Sequence, residues 1–380
     1  MTLGAFLVLI TGQISPVEAF TAINPGVMIF LLAMFVIGQG VKESGLLNHW
    51  MAGISQYAKN TDSLLILLII LTGFLSALLM NDTVAIIATP LVIALALSYG
   101  IRKEIAVIAL CFSVTTGSVF SPVGNPQNYL IASYVPDLSP FFLFFSGLFI
   151  PTMISMGIIF FVLRSSFKKS DNQPNTCIIP DNHNEGMYKA VKVALFILLA
   201  GFFIRVLSGL TGQAPYIPVE LIALCACLPL LLCSSSRIEL LKRVDWKTLL
   251  FFASMFILMQ SVYDTGFFQG IFSFQGRADI LGTLSAGVII SQFISNVPFV
   301  ALFQPAILSG GASPALVLAL AAGSTIAGNL TIIGAASNVI ILEQAEREGV
   351  KVSMLTFCRY GIPVTICQIA VYAIYLQIWL

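Results

Sequence analysis

The stretch ALLMNDTVAIIATP, residues 77–90, sets Asn81, Asp82 and Thr83 side by side inside a run otherwise built of lipid-compatible side chains. Such runs recur along the whole 380-residue chain, which is 58% hydrophobic and only 9% charged. Soluble domains carry about a quarter charged residues, so the composition excludes an ordinary soluble protein. Crossing about 30 Å of hydrocarbon takes roughly 17–25 apolar residues. Candidate spans fall at 1–19, 24–41, 140–163, 188–209, 217–233, 248–265 and 358–379. The alternating segments of a membrane barrel are missing from the sequence. The expected fold class is an all-α polytopic membrane protein, with the lipid bilayer as its surroundings.

Other features narrow the function by exclusion. The net charge of +1 is spread over short loops, so no nucleic-acid partner is expected. Seven cysteines show no paired ligand spacing, and most lie in apolar runs, where cysteine behaves as a small hydrophobe. His49 and His183 occupy the two most polar stretches, which argues against a histidine metal site. An intramembrane enzyme would need a nucleophile with its base, paired aspartates or a histidine cluster. The membrane segments offer one deep carboxylate, Asp82, and no histidine, so no enzymatic activity and no organic cofactor are expected. The opening MTLGAFLVLITG has no basic region before its apolar run and reads as a short first span, not a cleaved signal. Residues 44–60 are too polar to span and read as an interfacial helix.

The chain resembles itself on either side of a hydrophilic linker at 164–187. NPGVMIFLLAMFVIGQGVKESG (24–45) aligns without gaps on DWKTLLFFASMFILMQSVYDTG (245–266). SALLMNDTVAIIATP (76–90) aligns on SQFISNVPFVALFQP (291–305), placing Asn81 on Asn296 and Pro90 on Pro305. GNPQN (124–128) aligns on GAASN (334–338). Three matched blocks in one order are a signature of secondary transporters. The reading gives a first repeat over 1–163, with a hairpin at 62–99 and a broken helix at 104–133. A second repeat over 188–380 has its hairpin at 279–312 and its broken helix at 314–347. If the hairpins are re-entrant from opposite faces, every Lys and Arg except Arg205 and Arg277 falls on one side, which becomes the cytoplasmic side. The linker is then cytoplasmic and the two repeats have inverted topology.

Four polar breaks interrupt these segments: Asn81-Asp82-Thr83, SPVGNPQN (121–128), Ser295-Asn296-Val297-Pro298 and NLTIIGAASN (329–338). In lipid a broken helix survives only where protein or a water-filled cavity satisfies its backbone. Broken helices expose amides at one end, which suit an anion, and carbonyls at the other, which suit a cation. Asn81 and Asn296 match across the repeats, so a shared binding role outweighs simple helix packing. Asp82 is matched by Val297, so any acidic role exists in one repeat alone. It is the candidate for coupling to a proton or cation. Ser118, Ser121 and Thr331 divide evenly between binding and packing roles.

MNDTVAIIATP, GSVFSPVGNPQN, SNVPFVALFQP and GAASNVIILEQA resemble motifs of the ion transporter superfamily. That group includes arsenite efflux permeases, sodium–proton antiporters and divalent anion–sodium symporters. PVGNPQN is most similar to the small prokaryotic permeases classed as anion transporters. The resemblance implies an elevator-type secondary transporter, a homodimer, in a prokaryotic inner or plasma membrane. It implies substrate contacts from Asn81, Thr83, Gly124, Asn125, Gln127, Asn128, Ser295, Asn296, Gly334, Ser337 and Asn338. Ion coupling falls to Asn81, Asp82, Ser118 and Asn296, with sodium at Asn81, Asn125, Asn296 and Asn338. Val297 stands where the dicarboxylate symporters carry threonine in their Ser-Asn-Thr tips, which weakens the case for a carboxylate. The expected function is secondary active transport of a small anion or oxyanion coupled to sodium or protons. Arsenite or metalloid efflux, or sodium–proton antiport, are the alternatives.

Overall fold

The computed structural model describes residues 1–168, 185–211, 217–233, 237–267, 279–308 and 313–379. Arg277, His183, Cys177 and the greater part of the 164–187 linker lie outside the described residues, as does the end of the 279–312 hairpin. The described residues are helical, without strands. Among the described residues seven helices are long and apolar enough to cross a membrane: Pro25–Ser44, Thr61–Leu79, Asn81–Ser98, Pro140–Arg164, Glu185–Thr211, Trp246–Asp264 and Met354–Trp379. Their outward faces carry large apolar side chains such as Phe196, Phe203 and Leu355, as lipid contact requires.

The first block of the repeat is visible as local chemistry. Helix α3 (Pro25–Ser44) starts where Asn24 accepts the Val27 N–H at 3.1 Å and ends at Gly45, whose φ is 70°. At the aligned positions Asp245 accepts the Thr248 N–H at 3.1 Å to start Trp246–Asp264. Gly266, aligned with Gly45, follows that helix at φ 71°. Even side-chain pairs repeat. Gln39 donates to Glu43 at 2.7 Å, and the aligned Gln260 donates to Asp264 at 2.8 Å.

Two expectations are corrected. Residues 1–19 do not make one span but two short helices, α1 (Thr2–Ile10) and α2 (Pro16–Ala22). Gly12 turns left-handed at φ 71°, and Ser15 with Glu18 forms a capping box that starts α2 ahead of Pro16. The second correction concerns the hairpin tips. Asn81, Asp82 and Thr83 are not the break; they are the first turn of the second arm, α6 (Asn81–Ser98). The chain reverses at one residue, Met80, whose φ of 69° ends the first arm, α5 (Thr61–Leu79). Its aligned partner Ser295 has φ 70° between Ile280–Ile294 and Asn296–Leu308. Such angles are unusual for residues other than glycine, so finding them at matched positions is strong evidence of a shared tip geometry.

The first hairpin has arms of 19 and 18 residues, each long enough to cross a bilayer. The second has a first arm of 15 residues, about 22 Å and shorter than a crossing, and a second arm described from Asn296 to Leu308. The broken helices are α7 (Lys103–Gly117) with α8 (Pro126–Tyr134), and Pro314–Ile326 with Ala336–Arg347. Each hairpin packs its first arm on the first half of its own broken helix by close glycine contact. A Cβ on Gly117 would strike the backbone of Gly73, and one on Gly287 the backbone of Gly323. Each second arm lies along the other repeat: α6 against Ala336–Arg347, and Asn296–Leu308 against α8. The two repeats thus interlock around the four breaks.

Several basic residues gather with polar partners at helix ends. Arg164 pairs with Asp62, Arg102 donates to the Ser166 carbonyl at 3.1 Å, and Tyr360 bonds Ser166 at 2.8 Å. Arg243 approaches Glu43 at 3.3 Å. The 44–60 segment forms helix α4 (Leu46–Tyr57), with His49 set edge-on to Tyr188.

Candidate functional site

The interlock brings three of the four breaks into direct contact. The Asn81 backbone N–H donates to the Gly124 carbonyl at 2.8 Å, tying the first tip to the first broken helix. The Asn81 side-chain amide reaches Ser337 Oγ of the second broken helix at 3.4 Å, across 256 residues of sequence. Its carbonyl oxygen accepts the Asp82 N–H at 2.9 Å. Both helices that meet here, α6 and Ala336–Arg347, begin without a capping side chain, since Met80 and Ala335 occupy their cap positions. The two helix N-termini therefore meet here, although in α6 the Asn81 and Asp82 amides are already engaged by the Gly124 carbonyl and the Asn81 side chain.

Asp82 lies in that first turn and is 7% exposed. Among the described residues its carboxylate makes no ion pair or hydrogen bond. Thr83 is turned away from the cluster: a Cβ placed on Gly38 of α3 would run into both branches of the Thr83 side chain.

The two broken helices are held open in the same way. Asn128 Nδ2 donates to the carbonyls of Ser118, Val119 and Ser121 at 3.1, 3.2 and 3.0 Å. The aligned Asn338 Nδ2 donates to the carbonyls of Gly328 and Thr331. In each case one downstream amide, at the same spacing of ten and seven residues, satisfies the unwound backbone. Asn125 caps α8 by accepting the Asn128 N–H at 2.8 Å, and its amide donates to Ser118 Oγ at 3.0 Å and Thr325 Oγ1 at 3.3 Å. Gln127 donates to Thr325 Oγ1 at 3.5 Å, and Thr325 in turn donates to Asn128 Oδ1 at 3.2 Å. Gly124 and Gly334 are required by closeness: a Cβ there would meet the backbone of Ser118 and of Ala327.

The hydroxyls of Ser118, Ser121 and Thr331 serve the fold. Ser118 donates to the Thr115 carbonyl at 2.8 Å, Ser121 accepts the Val123 N–H at 3.3 Å, and Thr331 donates to Gln292 Oε1 at 2.6 Å. Asn296 and Ser295 stand apart from the hydrogen-bonded cluster, joined to it through the packing of Asn296–Leu308 on α8. Of the four amides expected to hold sodium, Asn81 and Asn125 already use their oxygens as described. The oxygens of Asn296 and Asn338 are buried with no partner among the described residues. In that set these two oxygens are the ones left open. Among the described residues no group of three or more His, Cys, Asp or Glu side chains forms a metal cluster.

Sequence reasoning missed three participants. Thr325 joins the repeats, and its match to Thr115, equally far ahead of the aligned Gly334 and Gly124, was readable as an extension of the third repeat block. Gln292 bridges the second hairpin to the Ala327 carbonyl at 2.9 Å. Gln368 of Met354–Trp379 closes a buried triangle with Asn329 at 2.8 Å and Thr116 at 2.9 Å, for which a single sequence gives no signal.

A polar cavity of 420 Å³ lies beside this cluster, between α3, α8, Trp246–Asp264 and Asn296–Leu308. None of the expected binding residues lines it.

Comparison with known proteins agrees with this architecture. The model of the family CitMHS, described as citrate transporter, matches residues 1–313. A protein named as an uncharacterized transporter of Mycobacterium tuberculosis is 28% identical, covering 95% of this chain and 87% of its own length. The silicon efflux transporter LSI3 of Oryza sativa is 25% identical, covering 97% of this chain and 90% of its own. Among solved structures, the YdaH transporter of Alcanivorax borkumensis, noted for an unusual topology, superposes with a TM-score of 0.65 at 16% identity. The match covers 98% of this chain and 88% of that one.

Proposed function

The chain belongs to the CitMHS citrate transporter family, and from that membership we propose that it is a secondary active transporter of a small anion or oxyanion, coupled to sodium or protons. The observation that carries the proposal is the meeting of two uncapped helix N-termini beside a buried, unpaired carboxylate. The first-turn amides not already engaged, chiefly those of Ala336–Arg347, attract an anion. A charged Asp82 at the same place repels it. Anion binding is therefore favourable once a proton or sodium ion neutralises Asp82, and that condition couples the two. The open oxygens of Asn296 and Asn338 supply further cation ligands.

The two repeats then move the site between faces by alternating access, the hairpins and broken helices travelling as one body in an elevator-like step. In this reading the protein is a homodimer in the inner or plasma membrane of a prokaryote, with the 164–187 linker in the cytoplasm. No enzymatic step is part of the cycle.

One observation favours a second reading. No residue of the tip cluster is basic, a poor setting for a multivalent carboxylate. A metalloid acid such as arsenite, moved in neutral form, suits such a site, and the rice relative is named for silicon efflux. Sodium–proton antiport, with Asp82 alone exchanging the two cations, is a third outcome.

Uptake into proteoliposomes under imposed sodium or pH gradients tests the coupling. Asp82→Asn is expected to insert normally and to lose the dependence on both gradients. Unchanged gradient dependence in that variant would remove Asp82 from the mechanism.

A further inference from the structure

The 420 Å³ cavity has the size of a ligand pocket, within the range of about 300–1,000 Å³ typical of such sites. Its polar groups include Asn24, Tyr134, Gln260, Tyr263 and Gln304, and no lining residue carries a charge. Gln304 is the decisive one. It is 1% exposed, yet both its amide nitrogen and its amide oxygen have no partner among the described residues. Leaving a buried polar group unsatisfied costs about 1–3 kcal/mol, so an unpaired donor and acceptor in a cavity wall mark a place where something binds. Pro305, the next residue, adds to this. It has no N–H, so the Ala301 carbonyl in the same wall loses its helical donor.

Pseudo-symmetry sharpens the argument. The position aligned with Gln304 is Thr89, whose hydroxyl is satisfied within its own helix by the Ala85 carbonyl at 2.6 Å. On that side α6 closes against α3, with Thr83 on Gly38. Met259, aligned with Gly38, instead lines the cavity. Both repeats wall the cavity, but its unpaired amide belongs to the second repeat alone.

We propose that this cavity is a second binding site, separate from the helix tips, for an uncharged hydroxyl-bearing solute. Gln304, whose buried amide is uncovered as the solute enters, supplies a donor and an acceptor, the Ala301 carbonyl a further acceptor, and Tyr134 a phenol. An ion would lose its hydration there without a counter-charge, whereas a neutral polyol exchanges water for these groups. On Asn296–Leu308 the site starts at Ala301, about 7–8 Å from the tip residue, and Gln304 lies about 12 Å from it; no tip residue lines the cavity.

Saturation-transfer NMR on the full chain in nanodiscs, with erythritol as the probe and sulfate as the charged comparison, tests the proposal. Erythritol is expected to bind saturably, with no competition from sulfate. Gln304→Leu should weaken its binding at least fivefold. Ala301→Phe, which fills the cavity without touching the amide, should do the same and serves if the first variant does not fold. No saturable erythritol signal, meaning that water alone satisfies Gln304, would overturn the proposal. Equal binding to the wild type and a folded variant would also overturn it.

Discussion

Replacing Asn128 by aspartate probes how the broken helices are held. The exchange preserves shape but puts an oxygen where Nδ2 now donates to three carbonyls at 3.0–3.2 Å. Two amide hydrogens shared among three acceptors amount to about two full hydrogen bonds, worth roughly 0.5–1.5 kcal/mol each. A protonated carboxyl in that place restores one of them at best. The variant must also leave one or two buried carbonyls unsatisfied, at about 1–3 kcal/mol apiece. The expected loss is roughly 2–5 kcal/mol. At Asn338 the amide serves two carbonyls, the second at 3.5 Å, so Asn338→Asp should cost less. Thermal unfolding of both variants in one detergent measures the difference, and hydrogen exchange across Ser118–Gly124 locates it. Wild-type stability in Asn128→Asp, or a larger loss in Asn338→Asp, would refute the idea that this amide holds the break open.

Other expectations follow from single contacts. Gly38→Ala should slow transport and destabilise by about 1–3 kcal/mol, because its Cβ enters the space of Thr83. Thr83→Ser, which removes the methyl, should recover part of that loss in a double-mutant cycle of unfolding temperatures. Ser295→Gly should raise stability by roughly 1–2 kcal/mol by relieving a φ of 70° in a half-buried residue, read as a higher unfolding temperature. Gly117→Ala should abolish accumulation of folded protein, since its Cβ meets backbone and not a yielding side chain. Monodispersity on gel filtration checks this.

Much of the architecture is legible in the sequence because caps and glycines are local. Asn24 against Asp245 and Gly45 against Gly266 announce matched helix ends through residue type alone. The boundary of α2 is equally local: Ser15, Pro16 and Glu18 spell a capping box that the apolar run around them outweighed. The tips show the limit of pattern reading. Polarity draws attention to Asn81–Thr83, but the reversal falls on Met80, a residue whose type disfavours it and which the surrounding packing holds there. Convergence is harder still. That Asn81 meets Ser337, or that Thr325 links Asn125 to Asn128, depends on contacts across hundreds of residues that a single sequence does not encode locally. Gln304 gives no signal in the sequence because an amide beside a helical proline is ordinary; only its burial without a partner sets it apart.

Solid-supported-membrane electrophysiology on the purified protein in liposomes tests the central claim most directly. Concentration jumps of citrate, succinate, sulfate, phosphate and arsenite, each with and without sodium and at two pH values, ask whether one anion and one cation are bound together. Electrically silent exchange is followed in parallel by an internal pH dye. The account predicts a saturable signal for one substrate that requires sodium or responds to pH, and that loses this dependence in Asp82→Asn. Sodium-driven proton movement with no effect of any anion would contradict it.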